Sequence, residues 1–282
     1  MEYIFLLLVG VSSKIQNTIK KEYDKEKEQT NSRLFTIFSC LASLVFFLIV
    51  SQLKLSFTVE ILPYSLFFAM TYICSWFGLY ASLKYGSFAI TSLIQSYCLV
   101  VPVLYGIVFL QEKITVTIII GLALFALSLM FLKEKSENTK VSWKWIISLC
   151  VMFLGGGFCS ASLKIKQHGY GDGSGNEFLI LGFAIVIVLL LLYELIKKER
   201  IKVSLKRSLT YGGVFGLVNG LATWLQVFLV MLIPSVILYP SLSACGVIVS
   251  FVIAICVYKE KITWRQAVAF GLSIVSVVLL NL

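Results

Sequence analysis

Gln111-Glu112-Lys113-Ile114-Thr115 and Lys259-Glu260-Lys261-Ile262-Thr263 carry the same charged turn twice, 148 positions apart. The register extends well beyond the turn. Trp224 falls on Trp76, Ser235 on Ser87 and Ser276 on Ser128, without a gap from Trp224 onward. In a chain that is 59% hydrophobic, scattered Leu and Val matches carry little weight. A charged tetrapeptide at a fixed distance from a tryptophan carries more, and the chain reads as a duplicated unit. The duplication continues into the first helix of each half with a small shift. Val11-Ser-Ser-Lys-Ile-Gln-Asn17 resembles Ala161-Ser-Leu-Lys-Ile-Lys-Gln167, so Ser12 pairs with Ser162 and Lys14 with Lys164.

Only 13% of the 282 residues are charged, far below a soluble average. Apolar runs of about 20 residues, each long enough to cross a bilayer as a helix, recur from end to end. Runs of that length exclude a transmembrane β-barrel, whose strands are about ten residues with alternating polarity. The expectation is therefore an all-α polytopic membrane protein. Its spans fall at 3–19, 34–53, 61–83, 87–110, 114–132, 144–165, 178–196, 209–231, 235–258 and 262–281. The first run has no basic residue before it and no small-residue cleavage site, so it reads as a retained span. Residues 1–134 form a first five-helix repeat, 135–142 a polar linker and 143–282 a second repeat. A glycine-rich loop, His168 to Asn176, joins the sixth and seventh spans, and Gly155-Gly156-Gly157 marks a place where the sixth could bend.

Five is an odd number, so the second repeat enters the membrane upside down relative to the first. Loop charge gives the same answer independently. The 1–2 loop carries Lys20, Lys21, Lys25, Lys27 and Arg33, whereas its counterpart 6–7 is poor in basic residues. The 2–3 loop has Lys54 alone, whereas its counterpart 7–8 has Lys197, Lys198, Arg200, Lys202, Lys206 and Arg207. The positive-inside rule then places loops 1–2, 5–6, 7–8 and 9–10 in the cytoplasm and both termini outside, in the plasma membrane. The net charge of +10 is thus explained by membrane orientation, with no need for a nucleic-acid partner. The seven cysteines lie mostly inside apolar runs without a C-x-x-C, and one His is present, so neither a disulfide framework nor a metal site is expected.

Ten helices in two inverted halves, each with a Glu at its short 4–5 turn followed by a small-residue helix (Gly121, Ser128; Gly271, Ser276), resemble the drug/metabolite transporter superfamily of EamA type. The resemblance covers essentially the whole chain. Where the family turn has Gly before Glu, this chain has Gln111 and Lys259; where its first helix often has Trp-Gly, this chain has Val9-Gly10. The resemblance implies a central pocket lined by helices 1, 3, 4, 6, 8 and 9, with helices 5 and 10 peripheral.

Candidate pocket residues follow from polar faces. Thr91, Gln95, Cys98 and Pro102 share one face of helix 4, and Tyr239, Ser243, Gly246 and Ser250 are their partners on helix 9. Ser75 and Trp76 on helix 3 correspond to Thr223 and Trp224 on helix 8, which also carries Asn219 and Gln226. Polar groups are costly against lipid, so these stripes face protein or water. The alternative is interhelical packing, which Ser, Thr and Gly supply routinely. Ser12, Ser162, Lys14 and Lys164 complete the substrate-binding candidates, the lysines serving an anionic group or snorkelling to the interface. Glu112 and Glu260 are read as structural caps of the fifth and tenth helices. Gly212, Gly216 and Gly220 form overlapping G-x-x-x-G units for close packing.

These features point to a secondary transporter moving a small metabolite of amino acid, amine, sugar or nucleoside type by alternating access. A structural or receptor-like membrane protein is the alternative. An intramembrane enzyme is disfavoured because Asp24, Asp172 and His168 all lie in loops and no cofactor motif is present. No Asp or Glu sits mid-span, and Glu194 lies near a helix end beside Lys197 and Lys198, so transport without an obligatory carboxylate-bound proton is expected.

Overall fold

A computed structural model of the chain describes residues 2–24, 31–52, 55–85, 91, 94–95, 97–131, 142–171, 174–197, 205–256 and 264–280. The described residues are helical almost throughout, with no strand among them. The helices are α1 (Glu2–Asp24), α2 (Ser32–Val50), α3 (Leu62–Tyr85), α4 (Val100–Phe109), α5 (Val116–Phe131), α6 (Trp143–Tyr170), α7 (Gly175–Lys197), α8 (Leu205–Leu232), α9 (Ser235–Cys256) and α10 (Trp264–Leu280). Five segments are long and apolar enough to cross a membrane: Ser32–Val50, Val59–Ser82, Trp143–Tyr170, Gly175–Ile196 and Leu205–Leu232. Large apolar side chains such as Ile49, Val59, Leu195 and Ile196 lie on the outside, as suits a surrounding of lipid rather than water.

The helices sort into two bundles, each drawn from both halves of the sequence. One holds α1, α2, α8 and α9, in which α8 packs on α1 and α2, and α9 on α1. The other holds α3, α4, α6 and α7, in which α3 packs on α6 and α7, and α4 on α6. Between the bundles, α2 meets α7 and α4 meets α9, while α6 barely touches α8. α5 and α10 pack on each other and lean on α9.

Small residues set how closely these helices approach. A Cβ on Gly155 would lie 2.5 Å from the Ser75 nitrogen, and one on Gly78 would lie 2.7 Å from Met152 Cα. The α3 and α6 backbones therefore touch at two levels, each through a glycine of one helix against the main chain of the other. Gly156 and Gly157 face Cys98, Ser75 and Val101 in the same way. α6 runs unbroken for 28 residues through Gly155–Gly157, without a discontinuity there. Neighbouring chains occupy the space where side chains would stand. On the other bundle, Gly212, Gly216 and Gly220 lie against Phe35, Ala42 and Phe46 of α2.

The ends of the bundle follow from specific bonds. Tyr23 at the end of α1 shares a hydrogen bond of 2.9 Å with Ser208 at the start of α8. Tyr23 also bonds the Asn31 backbone, and Asn31 caps α2 through the Arg33 and Leu34 N–H groups. Arg207 donates to the Glu22 carbonyl, and Ser82 of α3 bonds Ser148 of α6. At the other end, Ser65 of α3 donates to the Phe178 carbonyl at the start of α7, and Thr58 pairs with Tyr170 at the end of α6. We refer to the first as the basic end, because Lys20, Lys21, Lys206 and Arg207 belong to the segments that meet there.

Gly155→Ala is expected to force the α3 and α6 backbones apart at a cost of about 1–3 kcal/mol, read as a lower melting temperature in detergent. Gly213→Ala is the control. A Cβ at Gly213 meets nothing within 4 Å, and replacing a helical Gly by Ala there is expected to be neutral or to stabilise by up to about 1 kcal/mol.

Candidate functional site: the seam between two helix bundles

The polar residues singled out in the sequence divide between the seam and the interior of each bundle. Tyr239 of α9 belongs to the seam: it is buried, and its hydroxyl donates to the Ser160 carbonyl of α6 at 2.8 Å. Trp224 of α8 is half-buried, stands edge-on to Phe228, and packs against both main apolar clusters, as does Leu163 of α6. These two side chains join the bundles about two turns from the end opposite the basic one. Ser162 is buried but bonds its own helix at the Cys159 carbonyl, and Ser12 is buried on α1. Lys164 is 7% exposed, well inside the protein rather than at its surface. Lys14 is on α1, its side chain outside the described residues.

Others serve packing within one bundle. Asn219 donates its amide to Ser43 Oγ of α2 at 3.2 Å, while Ser43 donates to the Gly216 carbonyl at 2.8 Å. Together they tie α8 to α2. The Thr223 hydroxyl returns to the Asn219 carbonyl of its own helix. Ser75 lies in the α3–α6 contact beside Gly155 and Gly156. Trp76 stands edge-on to Phe77 and stacks on Tyr80, both of its own helix. Gln226 and Ser243 are half-buried, Gln95 is exposed, and Thr91 is fully buried with no hydroxyl partner among the described residues.

Glu112 has a different role from the one its sequence position suggests. Its carboxylate accepts the N–H groups of Ser235 at 2.8 Å and Val236 at 2.9 Å. It caps α9, in the other half of the chain, rather than α5. A carboxylate there satisfies two N–H groups that no helical carbonyl can reach and complements the helix dipole. Two local features deliver it. Gln111 takes a left-handed φ of 51°, and the Glu112 N–H closes back on the Gly106 carbonyl at 3.1 Å. Gly106 leaves room, since a Cβ there would lie 2.8 Å from Ser235 Cβ. Glu260 lies outside the described residues.

The contacts along α2 and α7 are not legible in the sequence. These helices run antiparallel along the seam. Arg33, Ile37, Cys40 and Phe47 line one face of α2, and Glu194, Leu190, Ile187, Phe183 and Ile180 line one face of α7. The apolar members belong to one buried cluster. At the basic end the seam closes with an ion pair, Arg33 Nε to Glu194 Oε1 at 3.0 Å, both side chains mostly buried. Glu194 is thus matched by an arginine of α2, while the side chains of its sequence neighbours Lys197 and Lys198 lie outside the described residues. At the opposite end, the Ser56 N–H reaches Glu177 at 3.5 Å.

A cavity of about 10 Å³, room for one water molecule, opens between Lys166, Gln167, Gly171 and Gly175 on one side and Val227, Val230 and Met231 on the other. Lys166 is 2% exposed and donates to the Gly171 carbonyl at 3.0 Å, holding the turn that ends α6. Among the described residues no cluster of His, Cys, Asp and Glu has the makings of a metal site.

No family model and no curated protein matches the chain. Among solved structures, 28 chains match. One, described only as "Crystal structure of protein", superposes with a TM-score of 0.71 at 10% sequence identity, covering 98% of this chain and 93% of its own. At that identity the likeness is one of fold.

Glu112→Ala leaves two N–H groups at the start of α9 without a partner and is expected to cost about 0.5–2 kcal/mol. Glu112→Gln should keep part of that, and thermal unfolding in detergent separates the two. Gln111→Gly should raise stability by about 1 kcal/mol, because glycine adopts a left-handed φ without a side-chain clash.

Proposed function

We propose that this protein is a ten-span membrane transporter of EamA type, built from two inverted five-helix repeats, and that it moves a small organic metabolite by rocking one bundle against the other. The observation that carries the reading is the pattern of helix packing. Replacing each helix number n by its counterpart n + 5 exchanges α1–α8 with α6–α3, α2–α8 with α7–α3, and α1–α9 with α6–α4. The same exchange returns α2–α7, α4–α9 and α5–α10 to themselves. A duplicated unit inserted in opposite senses has this consequence, and it turns one bundle into the other. Two equivalent bundles meeting at a seam supply the two alternative arrangements that alternating access requires.

Charge supports an orientation. Lys54, Lys113, Lys164 and Lys166 belong to the end opposite the basic one, and Lys14 lies within α1. The other 19 of the 24 Lys and Arg belong to the 1–2, 3–4, 5–6, 7–8 and 9–10 connections or the helix ends beside them. The basic end is then cytoplasmic and both termini are outside. We place the substrate path between α6 and α8, which barely touch, with Tyr239, Trp224 and Lys164 as candidate lining. Aromatic side chains together with a lysine would suit a metabolite with an anionic group, such as an amino acid.

Thermal-shift screening of purified protein against a metabolite library, followed by uptake of each stabilising compound into proteoliposomes, tests the proposal. At least one compound should raise the melting temperature and be transported. Trp224→Ala and Lys164→Ala should lower that transport about tenfold or more while leaving folded yield intact. Uptake at the rate of empty liposomes for every stabilising compound would exclude the transporter. A C-terminal alkaline phosphatase fusion should be active and a C-terminal fluorescent fusion dark; the reverse would overturn the orientation alone.

A further inference from the structure

We infer that the Arg33–Glu194 ion pair is the latch that holds the two bundles together at the basic end, and that its release opens the seam there. The inference rests on the rocking-bundle reading above and assigns the moving contact within it. Three observations support it.

First, three tyrosine, arginine and serine ties at this end lie inside one bundle or the other. Tyr23 to Ser208 and Arg207 to the Glu22 and Tyr23 carbonyls join α1 to α8, and Ser82 to Ser148 joins α3 to α6. They make each bundle rigid and leave the seam to other contacts. Second, the ion pair crosses the seam from α2 to α7 at 3.0 Å, with the Arg33 guanidinium 5.7 Å above the Tyr193 ring. Its side chains are 17% and 12% exposed, so it is largely shielded from solvent and salt. Third, everything beneath it along the seam is apolar or nearly so, from Ile37 and Cys40 to Phe47 and Phe183. Such a surface adheres mainly through packing, with the weak Cys40 thiol contact to the Tyr72 hydroxyl as its polar feature among the described bonds. At the opposite end the seam is pinned differently, by Glu112 on the α9 N-terminus. The two ends thus differ in chemistry: a hydrogen-bonded cap at one, a single charged clasp among the described residues at the other.

Cys40 reports on the seam. It is seven residues, about 10 Å, beyond Arg33 on the same face of α2, is 1% exposed, and its thiol points to the Tyr72 hydroxyl of α3 at 3.9 Å. In a variant whose sole cysteine is Cys40, held in nanodiscs so that both ends meet solvent, alkylation by a charged maleimide should be slow. Glu194→Gln and Arg33→Gln should each speed it about tenfold or more, since either leaves a mostly buried charge without its counterion. The reversed pair, Arg33→Glu with Glu194→Arg, should restore slow labelling. Tyr23→Phe breaks a bond inside one bundle at the same end and should leave the rate unchanged. Parent-like labelling in the single variants, or equal acceleration by Tyr23→Phe, would overturn the latch. If the single variants do not fold, Arg33→Cys with Glu194→Cys in a chain otherwise free of cysteine replaces the clasp by a disulfide. Amide exchange over 34–44 should then be slow when oxidised and about tenfold faster when reduced; equal exchange overturns the latch. Labelling and exchange need no substrate. Fast labelling without transport of any compound therefore counts against the transporter, whereas unchanged labelling in a transporting protein counts against the latch.

Discussion

The architecture depends on the backbone contact of α3 with α6. At Gly78 and Gly155 each helix presents bare main chain to the other, and nothing larger fits. In a bilayer the hydrophobic effect does not distinguish a helix neighbour from lipid, so association comes from close van der Waals packing and from hydrogen bonds between helices. Glycine faces deliver the packing. Because α3 belongs to the first half of the sequence and α6 to the second, this contact also fixes which helices share a bundle. The same logic governs α2 and α8, where Gly212, Gly216 and Gly220 admit the α2 chain and Asn219 with Ser43 adds the polar tie.

Interweaving the halves has a consequence for the proposed mechanism. Neither five-helix half forms a bundle alone, so the bundles proposed to rock do not coincide with the repeated stretches of sequence. Each bundle is internally bonded, and the seam between them is mostly apolar, with polar contacts at its ends and at Tyr239 to Ser160. An interface of that kind can adopt discrete arrangements without breaking the helices. The small cavity beside Lys166 lies near the end opposite the basic one, where α6 ends and α7 begins.

Glu112 illustrates how one residue reads differently at two levels. In the sequence it precedes a helix, and the nearest helix N-terminus is that of α5. In the fold its carboxylate reaches across to α9, because Gln111 turns the chain with a positive φ and Gly106 leaves space for the approach. The Gln111 position is the one at which the resembled family has glycine, and the left-handed backbone supplies the physical reason for that preference.

The sequence by itself determined the all-helical character and the approximate helix limits, because these depend on a local quantity, hydropathy over about 20 residues. It also marked the glycine faces, whose spacing along a helix is visible without coordinates. It did not determine which glycine meets which backbone around Gly155–Gly157, where α6 is continuous. Nor did it separate polar residues that bind a neighbouring helix, such as Asn219, from those at the seam, such as Tyr239, since both types sit on polar faces of the same periodicity. The pairing of Arg33 with Glu194, 161 positions apart, and the capping of α9 by Glu112 exist only once helices distant in sequence lie side by side. Those partners are chosen by tertiary packing, and no local property of the chain encodes them.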